Sequence, residues 1–288
     1  MSGSEPDSLA KPDSLAKIAP PLGARRQHRM RVLSDWGLFL FVGGLLVWGV
    51  IVGASQMGYS WQWYRVPRYI YREIDGEIIW GPLVRGLWVT IEITLWAALL
   101  AFAIGLLTAL LRLSRSYAGN AIATVYLEAI RNTPLLVQMY LFYFVLSPII
   151  GIDRFWTGVL ALAVFEASFI SEIIRGGILS IPRGQWEGAS ALGLRAWQVY
   201  ARVVLPQAVP IMAPPMTSAL VNLIKNSAIV STIAIFDLTN EGRNVIAETF
   251  MSFEIWFTVA AIYLVITISL SAVAARLEAQ ARRGLSRA

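Results

Sequence analysis

Long uncharged runs alternate with short charged stretches along this 288-residue chain. Gly37–Ala54 holds 18 residues without a charge, about 27 Å as a helix, which suits a first membrane span. A second span runs from Gly86 to Leu111, and its last 19 residues, from Ile93, are uncharged. A third lies between Arg131 and Asp153, behind an amphipathic stretch at Ala121–Ile130. A fourth covers Trp156–Gly176, a fifth Met216–Phe236, and a sixth the 21 uncharged residues Ile255–Ala275. This pattern predicts an all-α integral membrane protein with six transmembrane helices.

The stretches between the spans read as tails and loops. Residues 1–34 are polar and carry PDSLAK twice, at Pro6–Lys11 and Pro12–Lys17. They hold too little apolar surface to offset ordering entropy, so a disordered tail is expected there. Residues 55–85 concentrate aromatics, among them Tyr59, Trp61, Trp63, Tyr64 and Trp80, as expected of an extramembrane loop lying against headgroups. Asp237–Ser252 reads as an acidic loop. The prolines at 206, 210, 214 and 215 fit either a kinked helix entrance or a loop before the fifth span.

Composition narrows the class. The chain is 57% hydrophobic and 15% charged, against about 45–50% and about 25% in soluble domains. A soluble enzyme is nearly excluded. There is no cysteine, and the one histidine, His28, lies in the polar tail, so thiol chemistry, His-based triads and His-rich metal sites are not expected. The net charge of +6 needs no nucleic acid to explain it, because its distribution is directional. Seventeen of the 24 Lys/Arg fall on the side of the two tails and the 182–202 segment, and six on the other, with Lys225 inside the fifth span. The positive-inside rule then places both termini and that segment in the cytoplasm.

Small residues recur every four positions at Ala97, Ala101, Gly105 and Ala109, which predicts a face for close helix packing. The Gly49–Gly53 pair is a weaker version of the same signal. In 182–206, Pro182 and Gly184 suit a helix start, Trp186, Ala189 and Leu192 recur at spacing three, and Gly193 suits a stop. Such a short amphipathic helix must bury its apolar face on either the membrane surface or a partner's groove.

Glu187-Gly188-Ala189-x3-Gly193-x9-Val203-x-Leu205-Pro206 resembles the EAA loop of ABC importer permease subunits, EAA-x3-G-x9-I-x-LP. Gly188 stands where Ala is usual and Val203 where Ile is usual. Gly188 loosens the short helix by up to ~1 kcal/mol. The flanks resemble the polar amino-acid subfamily: Arg131–Gln138 reads RNTPLLVQ, Ser171–Ile178 reads SEIIRGGI, and Ile181–Gln185 reads IPRGQ. Lys225-Asn226-Ser227 falls where that subfamily has KxTSL, with Ser for Thr and Ala228 for the usual Ser. The resemblance covers about residues 82–281.

It implies a five-helix permease core plus one extra N-terminal helix in the bacterial inner membrane. The implied layout is a tail at 1–34, the extra helix at 35–55, a periplasmic loop at 56–85, the permease domain at 86–281 with a coupling loop at 182–206, and a tail at 282–288. It implies a subunit of an ATP-driven importer of amino acids, with a second permease, ATPase subunits and a periplasmic binding protein as partners. ATP and magnesium would sit in the ATPase, because no Gly-rich loop ending GK[ST] follows a strand here. Glu187, Gly188, Ala189, Gly193, Leu205 and Pro206 would contact the ATPase. The same fold importing another small polar solute such as an opine stays open, and behind it a channel or secondary transporter.

Several charged positions have rival readings. Arg175 follows Glu172 at i+3, the spacing of a structural ion pair. Glu92 fits an interfacial carboxylate at the outer end of the second span. Glu166 and Lys225 are harder to place, since both lie near the middle of their spans, where a charge is costly. Either they pair with each other across two helices, or one or both, with Asn226 and Ser227, line a polar substrate cavity.

Overall fold

The computed structural model describes the backbone of residues 22–285 and side chains between 35 and 276. The expectations for residues 1–21 and 286–288 lie outside the described residues. The chain divides into two compact units, 1–61 and 62–288. In the first, helix α1 runs Leu22–Gln56, and its stretch Asp35–Gln56 is long and apolar enough to cross a membrane. Leu38, Phe39, Leu46 and Ile51 are all exposed, so the helix is apolar on every side, as a lipid-facing span is.

In the second unit, the segment expected as a loop is folded. A 3₁₀ turn at Trp63–Arg65 leads into α2 (Pro67–Ile70) and an antiparallel hairpin, β1 (Tyr71–Ile74) and β2 (Glu77–Trp80). Tyr71 pairs with Trp80 and Ile74 with Glu77. The two-residue turn Asp75-Gly76 has φ of 54° and 83°, the doubly left-handed geometry that suits strand twist.

Helix α3 (Pro82–Leu113) then packs along α7 (Arg154–Leu179), the most extensive helix contact in the unit. Ala97, Ala101 and Ala109 are fully buried, so the small-residue face is the seam. A Cβ on Gly105 would come within 2.7 Å of Ile170 Cγ2 and 3.1 Å of the Ala167 carbonyl oxygen, so only glycine permits this approach. Trp96 meets Trp156 edge-on at 5.5 Å, and Arg112 pairs with Glu172 at 3.5 Å, so the two helices run in the same direction.

The expected third span is not one straight helix. Helix α4 (Tyr117–Arg131) and the arm Leu135–Ile150 meet at a 105° bend across Asn132–Pro134. The arm consists of α5 (Leu135–Tyr140), a π-helical stretch (Leu141–Leu146) and α6 (Ser147–Ile150). Pro134 enforces the break by excluding helical geometry from Thr133. Buried Gln138 holds it, donating to Ile130 O at 2.7 Å and to Thr133 O at 3.1 Å.

The fifth span starts earlier than the prolines suggest. After α8 (Arg183–Ala191), helix resumes at α9 (Ala196–Val199), widens to a π turn at Tyr200–Val204 and continues as α10 (Leu205–Asn226). Pro210, Pro214 and Pro215 lie inside α10. Proline is tolerated in membrane helices held by their neighbours, and α10 runs unbroken through all three. A 3₁₀ stretch, Ser227–Ile233, closes the span.

The acidic loop is instead a helix, α11 (Leu238–Thr249), capped by Asp237, which accepts from Thr239 N and Asn240 N. Leu238, Gly242 and Val245 form its buried side against α3 and α12 (Ser252–Leu285). Five helices among the described residues are long and apolar enough to span, and the bent pair makes six.

Candidate functional site

Two features stand out, at different depths. The first is α8, at the end of the bundle where α7 stops. Leu194 N donates to Ala189 O at 3.3 Å and Gly193 N to Ser190 O at 3.0 Å, with Gly193 at φ 75°. These are the two bonds of a Schellman closure, which needs a left-handed residue at Gly193. Ala189 is buried, Trp186 meets Tyr200 edge-on at 5.2 Å, and Gln207 Nε2 donates to Gln185 Oε1 at 3.4 Å. The short helix is therefore fastened to α9 and α10 rather than tethered loosely.

Leu192 departs from the expected apolar face. It is 82% exposed, at the C-cap of α8 just before the left-handed turn at Gly193. The outward surface of this end comprises Glu187, Gly188, Leu192 and Trp197, with Leu205 and Pro206 exposed beside it. Of the six expected contact residues, only Ala189 points inward.

The second feature lies midway along α7 and α10. Glu166 is 3% exposed and lines a groove of about 630 Å³ with Phe169, Ser218, Asn222 and Asn226. Lys225 lines a neighbouring groove of about 400 Å³ with Thr217, and Ser218 and Asn222 belong to both. No ion pair joins Glu166 to Lys225 among the described residues; the ion pairs found there are Glu172 with Arg112 and Glu172 with Arg175 at 2.8 Å. The pairing account of the two intramembrane charges is thus corrected. Ser227 is fully buried and gives its hydroxyl to Ile224 O at 2.7 Å, so it lies behind the groove wall. Arg131 stands over the Phe169 ring at 5.6 Å.

Sequence reasoning missed Ser218 and Asn222. Their signal was a polar residue every three or four positions, Ser218, Asn222 and Lys225, along one exposed stripe of an otherwise apolar helix. Such a stripe in a membrane helix faces another protein surface or water rather than lipid. Together the two grooves offer two carboxylates, Glu166 and the ion-paired Glu172, one ammonium, and the neutral hydrogen-bonding side chains of Thr217, Ser218, Asn222, Asn226 and Ser271. Among the described residues no cluster of His, Asp or Glu is suited to a metal.

Residues 101–283 match the model of the family described as binding-protein-dependent transport system inner membrane component. The chain belongs to that family. Within it, the chain is 37% identical over 213 residues to the glutamine transport system permease protein GlnP of Escherichia coli (strain K12), covering 72% of this chain and 97% of that protein. It is 31% identical over 205 residues to the octopine transport system permease protein OccM of Rhizobium radiobacter, covering 67% and 84%. A solved amino acid ABC transporter with histidines is similar at 34% identity and a TM-score of 0.65, covering 69% of this chain and 94% of that one. The methionine transporter MetNI shares the fold, at 24% identity and a TM-score of 0.59. This permease family is made of membrane components, and the chain is a multi-pass membrane protein with the family's fold.

Proposed function

We propose that this permease is the membrane subunit of an ATP-driven importer carrying amino acids from the periplasm to the cytoplasm. The observation that carries the reading is the fastened α8 with its outward Glu187, Leu192 and Trp197. An external motor can move membrane helices only through a contact that does not slip, and α8 is braced against the span that lines the grooves. The names of the relatives support amino acids as the cargo.

In this reading α8 and both termini lie in the cytoplasm, in keeping with the positive-inside charge distribution. Glu187, Gly188, Ala189, Gly193, Leu205 and Pro206 form or brace the ATPase seat. ATP and magnesium are held by that ATPase, and this chain supplies no chemistry of hydrolysis. The polar stripe of α10 faces a second permease subunit across the pathway. Glu166 and Asn226 on one side of the Ser218–Asn222 ridge, and Lys225 on the other, contact the passing solute. A carboxylate there binds an ammonium group by a charge-assisted hydrogen bond. Ser227 supports the wall from behind.

Uptake by proteoliposomes of the assembled complex tests the reading. Transport should require ATP inside and the binding protein outside. Uptake that persists without ATP but follows a proton gradient would replace it with secondary transport. Glu166→Gln should assemble normally and lose affinity or change amino-acid preference; an unaltered substrate profile removes Glu166 from the pathway. The octopine relative favours a second cargo class, opines, which competition by octopine in the same assay would reveal.

A further inference from the structure

The hairpin β1–β2 and α11 sit at the end of the bundle opposite α8, where α3 and α7 begin. Gly81 N donates to Ile70 O at 2.8 Å, and Gln62 N donates to Glu254 Oε1 at 2.5 Å, so the segment before α3 is fixed to the bundle. Beneath the hairpin lies a half-enclosed cleft of about 610 Å³, lined by Arg72, Arg85, Glu241, Asn244, Glu248 and Trp80, among others. Two cations and two anions share this space without one ion pair between them within contact distance. Burial pushes the Glu241 carboxyl up, with Arg85 pulling it down and Glu248 adding to the rise, so these charges feel each other without touching.

The hairpin above the cleft is uncovered on both faces. Tyr71, Ile74, Ile78, Ile79 and Trp80 are between 48% and 62% exposed. A two-stranded hairpin is marginal on its own, and its outer edges carry unpaired backbone groups. Its charges rule against lipid as the cover. Arg72, Glu73, Asp75 and Glu77 lie within six residues, so the hairpin can neither sink into hydrocarbon nor attract an anionic headgroup layer with a net positive charge. A small solute in the cleft would leave Tyr71 and Ile78 bare. Aromatic and arginine side chains framing unpaired charges are the composition of a protein–protein contact. The hairpin also lies outside residues 101–283, the stretch that matches the family model.

We propose that the hairpin and its cleft seat the cognate solute-binding protein and set which binding protein this permease accepts. The partner is a soluble protein presenting a carboxylate to Arg72 and Arg85 and a basic group to Glu241 and Glu248, inside an apolar rim that covers Trp80 and Ile78. The proposal rests on the importer reading above, which puts this end of the bundle in the periplasm.

The test uses the complete complex in nanodiscs and the amino-acid-loaded binding protein of the same importer, with ATPase stimulation and direct binding measured at low and high salt. Arg72→Glu and Trp80→Ala alter exposed side chains, and elution of the assembled complex checks folding. Each should raise the half-saturating binding-protein concentration by about tenfold or more, with maximal stimulation recovered at saturation, and Arg72→Glu should flatten the salt dependence. Half-saturation unchanged within about twofold in both variants overturns the proposal while leaving the importer reading intact. Free amino acid binding to the wild-type complex and lost in Arg72→Glu, with binding-protein affinity unchanged, also overturns it and makes the cleft a small-molecule site. A wild-type complex that no loaded binding protein stimulates overturns the importer reading itself, and the proposal with it.

Discussion

Gly105→Leu tests how the bundle is held together. Without an apolar driving force between helices in lipid, α3 and α7 stay together by close packing. Gly105 permits that packing opposite Ile170, which is 1% exposed and has no room to move. Even the Cβ of alanine would lie 3.0 Å from Ile170 Cβ and 3.1 Å from a backbone oxygen, neither of which is the free end of a flexible chain. Replacing a mid-helix glycine gains about 1 kcal/mol of helix propensity. Overpacking costs about 1–3 kcal/mol for extra methylenes in a filled site, and leucine adds three further carbons beyond the Cβ. The clash therefore wins, and Gly105→Leu should lower the melting temperature of the purified permease complex by several degrees, at about 2–4 °C per kcal/mol for a unit of this size. Gly176→Ala is the matched control. It lies on α7 with no atom within 4 Å of the new Cβ, so the propensity gain acts alone and the melting temperature should hold or rise. Equal melting of Gly105→Leu and wild type would mean that the face does not close on α7, and the packing argument would fall.

Other substitutions probe separate parts. Gly193→Val forces a β-branched residue to φ 75°; it should lower transport-coupled ATP hydrolysis while leaving membrane insertion intact, and normal coupling would show that the Schellman turn is dispensable. Gln138→Glu sets carboxylate oxygens against the carbonyls of Ile130 and Thr133, so the complex should lose about 1–3 kcal/mol or more, read as reduced melting or yield. Asp237 is fully buried, and burial pushes its carboxyl up to about 6 from the ordinary 3.8. The folded state thus holds this proton more tightly than the unfolded state. The stabilisation it contributes is complete below about pH 3.8 and is lost as pH rises through about 6. Asp237→Asn, which can still cap α11, should flatten the melting profile across that window, and an unchanged slope would assign it to other groups.

The α3–α7 seam was legible because a four-residue repeat of small side chains has one physical use in lipid, and the burial of Ala97, Ala101 and Ala109 follows from it. The end of α8 was legible for a similar reason: Gly193 is where a left-handed closure costs least. The hairpin's Asp75-Gly76 turn was present in the sequence, flanked by strand-forming residues, yet its aromatics read equally well as an interfacial loop. Periodicity also placed the fifth span too late, since prolines break helices in water, while the surrounding bundle sustains one here. What only the tertiary structure decided was which charges meet. Glu172 lies between Arg112 and Arg175, two helices apart in sequence on one side, whereas Glu166 and Lys225 open into separate grooves on either side of Ser218 and Asn222. A sequence records that a buried charge must have a reason. Side-chain direction, fixed by how α7 and α10 are rotated about their axes, determines whether the reason is a neighbour or a groove.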